Sequence, residues 1–197
     1  MLLYIIMIIP IGVDCGMAEF CRKHNLRTTA FPFDWTVTYN GVSKCIEDNF
    51  KLFTEPLTNK INEYDVSFVH DFENAKDYDK YKEKYNRRYK RLINTLETSG
   101  ERIIFCRKGH ACRHHSEHNG KYSKITSDIV DAEKLDAIIS YRYPQLNYKI
   151  IVILVCGECF NATCEYKSNS NNIEIYNIAT SQLEDKAFED LCRSILL

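Results

Sequence analysis

The stretch Ile5-Ile6-Met7-Ile8-Ile9-Pro10-Ile11-Gly12-Val13-Asp14-Cys15-Gly16-Met17-Ala18-Glu19-Phe20 changes from a strand pattern to a helix pattern within a few residues. Its first half is a continuous apolar run, which is typical of a strand that is covered on both faces. From Met17 the apolar residues recur at helical spacing. The sequence therefore predicts a strand over Leu3–Ile9, a sharp turn, and a helix over Gly16–His24, and we expect the strand to lie in the interior of its sheet.

The rest of the chain continues this alternation of strands and helices. The sequence predicts helices at 42–53, 77–98, 127–141 and 182–196, and strands at 66–69, 102–107, 148–155 and 173–178. The strand at 148–155 is nearly all apolar and is expected in the interior of the sheet. This order predicts an α/β fold: a single three-layer domain over residues 1–197, with a mostly parallel central sheet flanked by helices.

Cys15 lies at the turn between the first strand and the first helix. The free N–H groups and the positive dipole end of a helix N-terminus lower the pKa of a thiol, which favours the nucleophilic thiolate. Gly12 and Gly16 allow a substrate to approach the backbone, and the N–H groups of Cys15 and Gly16 are candidate oxyanion donors. Cys15 is therefore the candidate nucleophile. The alternative is a buried free cysteine that ends a core strand.

His70 is the candidate general base. It follows the apolar segment 66–69, so we expect it at the carboxyl edge of the sheet that also carries Cys15, where the sites of α/β proteins assemble. Such an imidazole needs an acceptor that sets its tautomer, and Asp34 and Asp71 are the two candidates. Asp34 is favoured, because neighbours in an extended chain point to opposite faces. Alternatively, His70 and Asp71 cap the next helix, and Asp34 stabilises a turn beside Trp35.

Several motifs together resemble one protein family. They are Gly12-Val13-Asp14-Cys15, Leu26-Arg27, Phe31-Pro32-Phe33-Asp34-Trp35, Phe68-Val69-His70-Asp71-Phe72 and Lys84-Tyr85-Asn86-Arg87-Arg88-Tyr89, followed by a strand that ends at Arg107. The family is described as papain-like cysteine peptidases and is found in bacteria and large DNA viruses. The resemblance implies a cysteine-dependent hydrolase acting on peptides or other amides or esters. The alternating pattern favours a nucleophile at the edge of a Rossmann-like sheet over the two-lobed layout of papain.

The nine cysteines and six histidines also raise the alternative of a zinc-stabilised binding domain. Segments 106–118 and 156–164 contain Cys106, His110, Cys112, His114, His115, His118, Cys156, Cys159 and Cys164. Cys156 and Cys159 have the spacing of a zinc-ligand pair, whereas Cys112 and His114 are closer together than a usual second pair. We expect no bound metal and no cofactor. Cys21, Cys45 and Cys192 fall on apolar helix faces and are predicted to lie in the core.

Charge and composition restrict the partners of the chain. A net charge of -1 and a pI near 6.6 give no electrostatic signature for nucleic acid. The basic, tyrosine-rich segment 77–98 is interpreted as an amphipathic helix over the core. The first apolar run is too short to span a bilayer, and no secretory signal precedes the odd number of cysteines, so we expect reduced thiols in the cytoplasm, or in the host cytoplasm if the protein is viral. A non-catalytic interaction module with a vestigial site is the alternative function, and the oligomeric state is left open.

Overall fold

The computed structural model describes residues 6–39, 41–110, 128–156, 167–179 and 184–197. Strands and helices alternate along these residues. The strands are β1 (Ile6–Pro10), β2 (Val37–Thr38), β3 (Val66–Ser67), β4 (Arg102–His110), β5 (Tyr148–Cys156) and β6 (Ile173–Ala179). The helices are α1 (Gly16–Lys23), α2 (Val42–Glu47), α3 (Tyr78–Thr98), α4 (Asp128–Arg142) and α5 (Glu184–Leu196), with one 3₁₀ turn at Ala75–Asp77.

A parallel four-stranded sheet organises the fold, in the order β1-β4-β5-β6. Helices cover both of its faces. On one face, α1 and α5 pack Met17, Phe20, Cys21, Phe188 and Cys192 against the sheet. On the other face, α2, α3 and α4 pack Cys45, Ile46, Tyr85, Leu92, Leu96, Leu135 and Ile139 against it. The predicted α/β fold with a mostly parallel central sheet between helices is confirmed.

β1 lies at one end of this sheet, so the expectation that it is an interior strand is wrong. Both faces of the strand are nevertheless buried: Ile8 faces the α1 layer with 3% of its surface exposed, and Ile9 faces the opposite layer with 0% exposed. A continuous apolar run indicates that both faces of a strand are covered by other layers of the fold. It does not indicate whether the strand has a hydrogen-bonded neighbour along each of its two edges. β5, in contrast, lies between β4 and β6, as expected.

Two segments between α1 and α3 differ from their predicted form. β3 pairs antiparallel with β2 in a separate two-stranded sheet, so the segment 66–69 is not a strand of the main sheet. α2 ends at Glu47, because the N–H of Phe50 donates to the oxygen of Cys45 (2.7 Å) and the chain turns through positive φ at Asn49 and Phe50. The sequence predicted a helix up to residue 53 because apolar residues keep helical spacing beyond the end of α2. These residues are buried in the structure, but they lie in or after the turn and do not belong to the helix.

α3 has the amphipathic character that its sequence predicts. Tyr85, Leu92 and Leu96 are buried, while Lys80, Arg87 and Lys90 are exposed on the other faces. None of the helices in the described segments is long and apolar enough to cross a membrane.

Candidate active site at the start of α1

Cys15 occupies the N-cap position of α1, directly after the turn that follows β1. Its side chain is partly exposed, whereas the other cysteines with described side chains, Cys21, Cys45, Cys106 and Cys192, are buried. The core positions predicted for Cys21, Cys45 and Cys192 are therefore confirmed. Among the cysteines whose side chains the structure describes, Cys15 is the one accessible from solvent.

Backbone pairing with β4 carries the chain from β1 to Cys15. The N–H of Lys108 donates to the oxygen of Gly12 (2.9 Å), and the N–H of Val13 donates to the oxygen of Lys108 (2.5 Å). Gly12 has a φ of +105°, and a Cβ at this position would lie 2.9 Å from both the carbonyl oxygen of Thr38 and Nη1 of Arg107. Only glycine fits this close approach.

Arg107 joins three segments of the chain beneath this turn. Its side chain is 1% exposed. Nε donates to Oδ1 of Asp128 (2.6 Å), and Nη1 donates to the oxygen of Ile11 (2.8 Å). Nη2 donates to the oxygens of Thr38 (2.9 Å) and Tyr39 (2.7 Å). Because a guanidinium presents its donors in a rigid plane, these bonds fix the end of β1 relative to β4, β2 and α4.

The charges around Cys15 oppose ionisation of its thiol. Burial raises the pKa of Cys15 most, and the carboxylates of Glu19 and Asp14 raise it further. The backbone N–H of Cys15 and the ammonium of Lys108 act in the lowering direction and do not compensate. The expected lowering of this pKa is therefore wrong for the resting structure, because burial, reinforced by the two carboxylates, outweighs the backbone N–H and Lys108.

We expect alkylation of Cys15 to be slow at neutral pH and to accelerate as the pH rises past the ordinary thiol range, since the thiolate is the reactive form. Asp14→Asn removes a nearby negative charge and should shift the rate profile to lower pH, whereas Lys108→Met should shift it to higher pH. Iodoacetamide labelling across pH, read by peptide mass spectrometry, checks this. Glu97→Gln on α3 is the control and should leave the profile in place. Fast labelling of the unmodified chain at pH 6 would contradict the result.

The side chain of Asp14 also accepts a hydrogen bond from one of the two predicted oxyanion donors, the backbone N–H of Gly16. The N–H of Gly16 donates to Oδ1 of Asp14 (2.8 Å), and Oδ2 of Asp14 lies 3.5 Å from Nζ of Lys108. Aspartate side chains commonly accept the N–H two residues later in this way. In this arrangement the Gly16 amide is not available to a substrate oxygen, which corrects its predicted role. Lys108, whose side chain is 8% exposed, is the nearby cation that the sequence analysis missed.

His70 lies beside Trp35 rather than against the thiol. It is exposed and follows β3, and its ring meets that of Trp35 edge-on, with 6.3 Å between centroids. No hydrogen bond joins the side chains of Cys15 and His70 in the described part of the chain. The expectation that His70 follows a strand of the main sheet is wrong, because β3 belongs to the small antiparallel sheet.

Both candidate orienting carboxylates have partners other than His70. Oδ2 of Asp34 accepts from Nη1 of Arg27 and from the N–H of Phe31 (3.1 Å). Burial raises the pKa of Asp34 to about 6, although Arg27 acts in the lowering direction. Oδ2 of Asp71 accepts from Nζ of Lys84 and from the hydroxyl of Tyr85, each at 2.7 Å. The predicted hydrogen bond from either carboxylate to the imidazole is therefore not formed in this structure.

A surface cavity of about 620 Å³ opens beside the start of α1. It is lined by Gly16, Glu19, Phe20, Arg22, Lys23, Lys108, Phe188 and Glu189. Lys108 ends up here because β1 and β4 are parallel neighbours, so their carboxyl ends meet at one edge of the sheet. A basic residue directly after the predicted strand 102–107 was the signal in the sequence that could have revealed it.

The cysteine- and histidine-rich segments fall largely outside the described residues. This applies to Cys112, His114, His115, His118, Cys159 and Cys164, and so to the predicted zinc pairs. Cys106 is described and lies buried in the core. Across the described ranges, no group of three or more His, Cys, Asp or Glu side chains is arranged to hold a metal ion.

The first third of the chain, which contains both Cys15 and Asp34, matches a known family. Residues 6–67 match the family model described as "Putative papain-like cysteine peptidase (DUF1796)". The match includes Cys15 and Asp34 and ends before His70 and Asp71. Comparison with the curated proteins and with the solved structures finds no match.

Proposed function

We propose that the protein is a cysteine-dependent hydrolase, a peptidase or a related amide or ester acyl-transfer enzyme, with Cys15 as its nucleophile. The observation that carries this proposal is the position of Cys15: a partly exposed thiol at the N-cap of α1, at the carboxyl edge of a parallel sheet. Its neighbour Gly16 lines an open cavity. The family match over residues 6–67 supports the same chemistry, because it includes this turn.

The proposed reaction begins with attack of Sγ of Cys15 on the substrate carbonyl. The thiol loses its proton, a tetrahedral adduct forms, and the amine or alcohol leaves with a proton to give a thioester, which water then hydrolyses to the acid. Lys108 is placed to stabilise negative charge on the sulfur, since its ammonium already acts on the pKa of Cys15 in the lowering direction. Because burial, Glu19 and Asp14 raise the pKa of Cys15 in the resting structure, the attack requires a group that accepts the thiol proton.

His70 is proposed as the group that accepts the thiol proton, with Asp34 or Asp71 as its orienter. This role requires His70 to leave its contact with Trp35 and a carboxylate to release its present partner, Arg27 or Lys84. The ammonium of Lys108, which lies 3.5 Å from Oδ2 of Asp14, is a hydrogen-bond donor without acceptor capacity, so it contributes charge and not proton acceptance. His70→Ala and Lys108→Met separate proton transfer by His70 from charge stabilisation by Lys108, with His24→Ala as the matched histidine control.

Hydrolysis of an acyl p-nitrophenyl ester, combined with mass spectrometry of the trapped acyl adduct, tests the proposal. The adduct is expected on Cys15, and Cys15→Ala should lower the turnover rate at least roughly 100-fold. Cys15→Ser, which keeps the shape of the side chain, should also lose the adduct. Turnover and adduct formation that persist in Cys15→Ala would contradict the proposal.

A non-catalytic interaction module is the second candidate. The observation that favours it is the resting electrostatics of Cys15, whose pKa is raised by burial, Glu19 and Asp14. The lack of a hydrogen bond between the side chains of Cys15 and His70 in the described residues points the same way. In that case the ester experiment should show adducts spread over surface lysines, with no dependence on Cys15.

A further inference from the structure

We propose that the surface around Trp35 is a second binding site, which takes an oxyanion: a carboxylate or phosphate group of a small ligand. The Trp35 cluster comprises Trp35, Arg22, Arg27 and His70. The cluster shares His70 with the proposed hydrolase and Arg22 with the cavity beside α1. It goes beyond that proposal because Trp35 and Arg27 have no role in the Cys15 chemistry, and no member forms a hydrogen bond or ion pair with Cys15 in the described structure.

Two guanidinium groups approach the same aromatic ring. Cζ of Arg22 lies 5.9 Å from the centroid of Trp35, and Cζ of Arg27 lies 5.7 Å from it. His70 meets the ring edge-on from a third segment of the chain. Trp35 is partly exposed, and Arg22 and His70 are exposed, so a ligand in solvent can reach all three side chains. Side chains from α1, from the turn after it and from the segment after β3 therefore surround one partly exposed ring.

The Trp35 cluster, taken together with the residues packed against it, carries more positive than negative charge. Arg27 pairs with the buried carboxylate of Asp34, and this pair is internally neutral. Arg22 forms no hydrogen bond or ion pair through its side chain with any other described residue, although Glu19 lies one turn before it on α1. Asp71, next to His70, is already paired with Lys84. Arg22 is therefore the guanidinium at this ring whose donors no described side chain occupies, while Arg27 is already held by Asp34.

Arg88, like Asp34, has a buried polar atom without a hydrogen-bond partner in the described structure. It lies close enough to Asp34 to act on its pKa and packs over the ring of Tyr85, with Cζ 5.3 Å from the centroid. Its Nη1 is buried without a hydrogen-bond partner, as is Oδ1 of Asp34. Buried polar atoms without partners are rare in folded proteins and commonly mark a place for a ligand or an ordered water.

Guanidinium chemistry selects the ligand class. The planar fork of an arginine matches the two oxygens of a carboxylate or phosphate, and an adjacent indole ring gives a flat apolar surface against which the rest of a ligand packs. A cation ligand is disfavoured by the arginines, and a purely apolar ligand would leave their donors unused.

Because Trp35 is the only tryptophan, its fluorescence reports on this site directly. The experiment uses the full chain with Cys15→Ala, so the result does not depend on the hydrolase proposal, and titrates inorganic phosphate and succinate separately at constant ionic strength with chloride as the reference. We expect saturable quenching or enhancement with at least one anion, and the arm that saturates at lower concentration identifies phosphate or carboxylate as the preferred group.

Arg22→Gln should weaken that binding about tenfold, and Arg22→Lys should recover only part of it, because lysine keeps the charge and loses the fork. Lys23→Gln, an exposed neighbour on α1 that pairs with Glu189, is the matched control and should bind as the parent does. Calorimetric titration with the same anions is the second readout. No saturable signal by either method, or equal weakening in Arg22→Gln and Lys23→Gln, would overturn the proposal.

Discussion

Replacing Arg107 by methionine should lower the free energy of unfolding by about 3–5 kcal/mol, the usual cost of removing one partner of a buried ion pair. Asp128, whose side chain is 1% exposed, would lose the guanidinium that donates to its Oδ1. The carbonyl oxygens of Ile11, Thr38 and Tyr39 would lose their donor at the same time. Since these bonds hold the end of β1 against its neighbours, the loss should fall on the segment that carries Cys15. Urea unfolding followed by circular dichroism measures it.

Two further variants test whether the loss of stability comes from the buried ion pair. Arg193→Met removes an exposed arginine whose ion pair with Glu189 lies on the surface of α5, and its unfolding midpoint should stay close to that of the unmodified chain. Arg107→Met combined with Asp128→Leu should be more stable than Arg107→Met alone, because no unpaired charge is left inside. An Arg107→Met protein as stable as the Arg193→Met control would show that the buried pair does not hold the turn.

Phe53→Ala should cost about 3–5 kcal/mol of stability, as truncation of a large core aromatic usually does. Phe53 is 0% exposed. Its ring contacts those of Phe50, Phe68, Phe33 and Tyr85 at centroid distances of 5.0, 5.4, 5.8 and 6.0 Å. Removing it leaves a cavity among rings that come from four different segments, and these cannot collapse together without moving their backbones.

The same unfolding measurement checks this prediction. Phe53→Leu, which retains most of the apolar volume, should lose clearly less stability than Phe53→Ala. Tyr141→Ala is the surface control: Tyr141 is 87% exposed, and the change should stay within about 0.5 kcal/mol. A Phe53→Ala protein that loses less than about 1 kcal/mol would mean that the aromatic layer adapts to the vacancy, in contrast to a close-packed core.

Local pattern alone determined much of this architecture. The helical spacing of Tyr85, Leu92 and Leu96 predicted α3, and the apolar run at 148–155 predicted an interior strand, because side-chain periodicity depends only on which faces an element buries. The change of period around Cys15 likewise placed it at a strand-to-helix turn, where the structure has it.

Tertiary structure decided the position of β1 at the end of the sheet, the separation of β3 from that sheet, and the partners of the charged residues. Asp34 meets Arg27 rather than His70, and Asp14 occupies the Gly16 amide and raises the pKa of Cys15. The physical reason is the same in each case. Hydrogen-bond partners and electrostatic fields depend on which distant segments of the chain meet and on which rotamer a side chain adopts. The spacing of residue types along the sequence determines neither of these.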